Sequence, residues 1–302
     1  MCLREGFVLR VDLTILQFEK EPMLIRNVAI VSEIDQVSIS DLTTVAAALQ
    51  QQVTRDFSPI WEIDAIVSGF KSLDDVPLGY WPVIIEQDIK VAGAAGVHQD
   101  NNNQPFALVQ YDDGWSLTTS HETLEMLADP SGNRLQTGQS VMPDQGQVEY
   151  LVEVCDPSED QQFAYAVNGV TVSDFYTPHF FDAAQSSSVS YSFTGAIKAP
   201  LQVLFNGYLS WHDPSTDKWW QETNFNGQQQ FVDLTDQMNS SKRKSLRSRM
   251  DSVGPKFAYW KSAKQEKRSM LAASRANVGK ASSSRSRSLR KHIADLVASN
   301  TK

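Results

Sequence analysis

The run Ser120-His121-Glu122-Thr123-Leu124-Glu125-Met126 sets an imidazole and a carboxylate four residues apart, with a second carboxylate next to the first group. In a helix His121 and Glu125 project from one face and can grip a single cation, while Glu122 points about a quarter turn away, towards a neighbouring water. This is the logic of the His-Glu-x-x-His helix. There, two ligands hold zinc, the ion makes a water acidic, and the intervening Glu takes the proton. Here Glu125 stands in the second ligand position, which a carboxylate can fill. Within 117–128 only His121, Glu122 and Glu125 are ionisable, and three such groups at the centre of an otherwise uncharged segment need a purpose.

Two side chains rarely hold zinc tightly, so a third ligand must come from elsewhere. Glu153 and Asp156 in Val152-Glu153-Val154-Cys155-Asp156-Pro157 are the candidates, because a carboxylate without a partner in an apolar strand is costly. Asp129 shares the helical face of His121, but eight residues of rise is roughly 12 Å. It is expected to bind the turn after Pro130 instead. His179, beside Phe180 and Phe181, reads first as a packed, hydrogen-bonded side chain and second as a ligand or donor; His98 and His212 carry no stronger claim. Cys155 reads as a buried structural thiol, and Cys2 and Cys155 are too few for a disulfide framework. Tyr165, Tyr176, Tyr191 and Tyr208 are candidate oxyanion donors, with packing as the default role. Trp211, Trp219 and Trp220 are expected to cover a sheet face.

The elements that must position these groups follow from apolar periodicity. Strands are expected over 23–33, 60–70, 81–89, 97–99 and 106–111, with a helix after Ser40 carried by Leu42, Val45, Ala46, Leu49 and Val53. The site helix spans 117–128, opened by Ser116, Thr118 or Thr119 and closed by Pro130 and Gly132. Strands then dominate, at 148–155, 163–167, 170–175, 190–196, 201–208 and 218–223, with Asn168-Gly169 as a hairpin turn.

The order of strands and helices over 25–129 resembles the zincins. These metallopeptidases place the metal helix directly after a mixed sheet whose antiparallel edge strand binds extended substrate. The block Ser120 through Arg134, with the 152–157 segment and Val172-Ser173-Asp174-Phe175, also resembles a group of microbial proteins with an S-H-E-x-L-E-M-L-x-D-P signature. The resemblance implies an α+β fold with a zincin-like mixed sheet and active-site helix over 23–134, continued by a β-rich half over 147–234. It implies one zinc ion on His121 and Glu125, completed by Glu153 or Asp156, with Glu122 as general base and an extended peptide or protein as substrate. The competing expectation is a non-catalytic scaffold in which His121, Glu122 and Glu125 form a hydrogen-bonded core cluster.

Charge divides the chain. Residues 242–302 hold 17 of the 27 Lys and Arg and only three acids, so about −23 over 1–241 faces about +14 in the remainder. An acidic main domain repels phosphate, whereas a basic Ser/Lys/Arg-rich tail over 239–302, expected to be partly disordered, can attract polyanions. With 41% hydrophobic and 10% aromatic residues the chain can bury a sizeable core. No 18-residue apolar run is present, and charges interrupt the apolar residues of 1–22, so neither a membrane span nor a signal peptide is expected and a cytoplasmic location is the default.

Overall fold

The computed structural model describes residues 24–91, 93–101, 103–243 and 245–253. Expectations for 1–22, and for the apolar tail segments at 257–260 and 289–297, lie outside these residues. The fold is α+β, and it begins with β1 (Arg26–Ser32), whose Val28, Ala29, Ile30 and Val31 are all fully buried. A continuous apolar run of this kind needs cover on both faces, as in a parallel sheet.

Helix α1 (Ile39–Gln51) supplies part of that cover through Leu42, Val45, Ala46, Ala48 and Leu49. Its cap is Ser38, two residues earlier than expected. The Ser38 hydroxyl accepts from the Asp41 amide at 3.2 Å while the Ser38 amide donates to the Asp41 carboxylate at 3.1 Å, a reciprocal pair that Ser40 has no acid positioned to make. The helix runs on through a π-helical stretch, Gln52–Phe57, into the short α2 (Ser58–Trp61) with Pro59 in its first turn. The strand expected over 60–70 is therefore shortened to β2 (Ala65–Gly69).

Strand β3 (Tyr80–Glu86), β4 (Gly96–Asp100) and β5 (Pro105–Gln110) complete a sheet of order β2-β1-β3-β5-β4. All neighbours are parallel except β4, which pairs antiparallel with β5 at the edge, His98 opposite Ala107. Helix α3 (Trp115–Ala128) follows at once. It starts at Gly114 without a side-chain cap, so Ser116, Thr118 and Thr119 sit inside it. Every residue of α3 except Ser116 is buried, and the Thr119 and Thr123 hydroxyls satisfy themselves on the carbonyls of Trp115 and Thr119 at 2.7 and 2.6 Å.

The second half is antiparallel. It comprises β6 (Leu135–Gln139), β7 (Gln147–Leu151), a hairpin of β8 (Tyr165–Val167) and β9 (Val170–Val172), then β10 (Tyr208–Asp213), β11 (Lys218–Phe225) and β12 (Gln228–Asp233). The five longer strands form a sheet of order β12-β11-β10-β7-β6. Asn168 and Gly169 take φ of 50° and 79°, the left-handed pair that a two-residue hairpin turn requires. Segments 190–196 and 201–208, expected as strands, are irregular up to β10, apart from one bridge between Tyr176 and Ser192. Their apolar residues enter the core without pairing, beside an aromatic group in which the Tyr176 and Phe180 rings stack at 4.3 Å.

Ordered structure continues past the expected boundary near Leu234. Helices α4 (Thr235–Ser240) and α5 (Leu246–Val253) fold back, and Met238 and Met250 join Leu151, Trp219 and Leu234 in a separate apolar cluster. The other buried residues of α5 are Arg247, Ser248 and Asp251, so composition conceals its place in the fold. No helix among the described residues is long and apolar enough to cross a membrane.

A buried acidic cluster as candidate metal centre

Four pieces of chain build the site. Helix α3 brings His121, Glu122 and Glu125; β4 brings His98; the segment after β7 brings Glu153, Asp156 and Glu159; α5 brings Arg247 and Asp251. The helix is locked in place by a buried polar chain. Ser120 donates to Gln52 Oε1 at 2.8 Å and accepts from the Ser173 amide at 3.0 Å, while Gln52 Nε2 donates to the Ser173 carbonyl at 3.0 Å. The Cys155 amide donates to Glu125 Oε1 at 3.2 Å, tying the 152–159 segment to the same helix.

His121 Nε2 lies 3.3 Å from Glu125 Oε1 and 3.2 Å from Asp156 Oδ1. Zinc ligands about 2.0 Å from the ion at tetrahedral corners stand roughly 3.3 Å apart, so both separations suit a shared cation as well as a hydrogen bond. On the far side Arg247 Nη1 lies 3.0 Å from Glu125 Oε2 and 3.1 Å from Asp156 Oδ2 and contacts Glu153 Oε2, while its Nε donates to Asp251 at 2.8 Å. The described residues hold four buried groups of His, Cys, Asp and Glu whose ligand atoms lie within 4.8 Å of one another and could hold a metal ion. They are His121 with Glu125 and Cys155, His98 with Glu122 and Glu125, His121 with Asp156 and Glu159, and Glu125 with Glu153 and Asp156.

Six carboxylates, Glu122, Glu125, Glu153, Asp156, Glu159 and Asp251, are buried here, and Arg247 is the one buried Lys or Arg among the described residues. The electrostatics reflect that surplus. Burial disfavours a charged His121, yet Glu125 and Asp156 outweigh it and lift the imidazole well above its ordinary range. Burial pushes Glu125 up, but Arg247 and His121 hold it well below the usual carboxylate range. The Cys155 thiol is driven up by burial and by Glu125, which keeps it protonated and removes it as a nucleophile.

His121 and Glu122 line a cleft together with Ala94, Ala95, Gly96, Tyr208 and Arg247. Its free volume is about 20 Å³, room for a water or an ion. Burial, with Asp156 and Glu159 adding to it, raises the Tyr208 phenol well above its usual range, so it stays protonated.

The structure thus brings together all five residues singled out for chemistry, with Asp156 rather than Glu153 against His121. Asp129 accepts from the Arg134 amide at 2.7 Å, closing the turn after Pro130 as expected. His179 is half-exposed and paired with Asp182, and His212 lies between Glu149 and Asp217; neither joins the cluster. Sequence reasoning weighed His98 first as a packed side chain, and missed Glu159, Arg247 and Asp251. Strand alternation held a signal for His98, since it shares the face of Gly96, the residue that abuts Glu122. Arg247 carried none, lying in a run that reads as polar tail. Comparison with protein-family models, curated proteins and solved structures finds no match to this chain.

Proposed function

We propose that this chain is a metal-dependent hydrolase of zincin type, with zinc held by His121, Glu125 and Asp156 and with an extended peptide as substrate. The observation that carries the reading is the seat of His121 Nε2 between two buried carboxylate oxygens, one of them four residues along the same helix. The donor set of one imidazole and two carboxylates suits zinc. Support comes also from the sheet, whose single antiparallel strand, β4, lies at the edge, with β5 and then α3 following it in the chain, the order the zincin resemblance implies.

When bound, the ion supplies Lewis acidity and makes water acidic near neutral pH. Glu122 faces the cleft beside Gly96, and its carboxylate takes the proton of the attacking water and returns it to the leaving nitrogen. Strand β4, which ends its sheet and pairs on one side only among the described residues, offers backbone groups that align an extended chain. Tyr208 donates to the oxygen on which negative charge develops.

One observation favours the competing reading of a non-catalytic module: Arg247 already bridges Glu125, Glu153 and Asp156. The full chain, loaded with zinc and incubated with a mixed peptide library, separates the two by mass spectrometry of the products. The expected result is cleavage by wild type and none by Glu122→Gln, which keeps the ion on His121. A zinc-loaded wild type that leaves the library intact would sink the hydrolase reading.

A further inference from the structure

We propose that His98, Glu122 and Glu125 form a second divalent-cation site, joined to the first through the two oxygens of Glu125. His98 Nε2 lies 3.1 Å from the carbonyl oxygen of Asp129. A carbonyl only accepts, so Nε2 carries the hydrogen and the ring is held by its outer nitrogen, the arrangement that orients metal-binding histidines. The inner nitrogen, Nδ1, then faces Glu122 Oε2 at 3.8 Å and Glu125 Oε2 at 3.7 Å. These three side chains are at most 3% exposed, and none of the three atoms makes a hydrogen bond.

The separations decide what belongs in the gap. They exceed the roughly 3.5 Å limit of a direct hydrogen bond, whichever way the imidazole is protonated. Donors about 2.1 Å from a common ion stand roughly 3.4 Å apart at tetrahedral corners, within a few tenths of an ångström of the two separations from His98. Arg247 makes an ionic contact with Glu125 Oε2, but its single charge is shared with Glu122, Glu153, Asp156 and Asp251, so the cluster keeps a surplus of negative charge.

The backbone is also cut to fit. A Cβ on Gly96 would stand 2.5 Å from Glu122 Oε1, so the bare glycine lets the carboxylate swing beneath β4 with Oε2 turned to His98. Oε2 is then available to the second ion while Oε1 faces the edge strand. One imidazole and two carboxylates suit zinc, manganese or ferrous iron better than calcium or magnesium. The two histidines belong to different sites, so the proposal stands or falls separately from the assignment of zinc to His121.

The test uses the full chain, equilibrated with zinc and analysed for bound metal, with folding checked by melting. Wild type should hold about two ions per chain, and His98→Gln and His121→Ala about one each. One ion lost in His121→Ala and kept in His98→Gln overturns the second site and leaves the function above standing. One ion lost in His98→Gln and kept in His121→Ala does the reverse, and no bound zinc overturns both. Should His98→Gln fail to fold, wild type loaded with manganese decides by electron paramagnetic resonance. A spin-coupled spectrum supports two ions sharing Glu125, and the simple six-line signal of an isolated ion overturns the proposal.

Discussion

Gly96 and Glu122 meet so closely that the smallest side chain changes the site. Gly96→Ala would place a methyl 2.5 Å from Glu122 Oε1 and 2.7 Å from Thr118 Cγ2, both on a fully packed helix. Overpacking of this kind costs on the order of 1–3 kcal/mol. Gly96→Ala is therefore expected to stay folded with a lower midpoint in urea and to lose cleavage; unchanged turnover would remove the contact from the mechanism. Glu222, on β11, reports on a different physics. Burial pushes its carboxyl up to about 7, only partly offset by the 2.8 Å hydrogen bond from Gln229. A raised carboxylate favours folding while the unfolded chain also keeps the proton, below about 4.5, and that advantage is lost as pH rises through about 7. Glu222→Gln should match wild type in urea at pH 4 and exceed it at pH 8 by roughly 2–3 kcal/mol. Equal midpoints at both pH values would show that the group titrates normally. Of the residues that matter most, His121, Glu122, Glu125 and Asp156 were legible from type and spacing, because one helix turn and one short acidic segment constrain them locally, although the strand expected over 148–155 ends at Leu151 and Asp156 opens a turn beyond it. His98 is linked to them only by the pairing of β4 with β5, which a lone His in sequence does not announce.

At the scale of elements α5 reverses an expectation. A tail beginning at 239 was expected to be partly disordered, yet Leu246–Val253 delivers Arg247 to four buried acids and Met250 to an apolar cluster. Removing one partner of a buried ion network costs about 3–5 kcal/mol, since the remaining charges keep their desolvation without compensation. A chain ending at 241 should thus melt roughly 10 °C lower than the full protein, whereas a chain ending at 253 should melt with it. Coincident melting of all three by calorimetry would refute the role of α5. Site helix and hairpin were readable because each has a local cause: apolar spacing in the one and Asn168-Gly169 in the other. The 190–208 stretch was misread because its apolar residues fill the core from irregular backbone, and apolar content alone cannot distinguish that from a strand.

Across the whole molecule, charge is the property that composition makes plainest: about −23 before residue 242 and about +14 from it onward. Part of the positive charge has a structural post, in Arg247, and 12 of the 17 basic residues follow Val253. Single exposed ion pairs contribute on the order of 0–1 kcal/mol and are screened over roughly 8 Å at physiological salt, so any polyanion held by residues 254–302 should be held loosely. The full chain is expected to be retained on heparin at low salt and released well before 1 M, and the chain ending at 253 to flow through. Retention of the shorter chain would place the anion-binding surface on the folded domain. By itself the sequence determined the α+β class, the helix that presents His121, Glu122 and Glu125, and the partition of charge, all of which depend on neighbours within a few residues. Only the tertiary structure decided that Asp156 faces His121, that Arg247 takes Glu153, and that His98 turns its inner nitrogen on two carboxylates. Those choices rest on contacts spanning as many as 122 residues, from Glu125 to Arg247, and on the buried negative charge that such contacts accumulate, which no local pattern of residue types encodes.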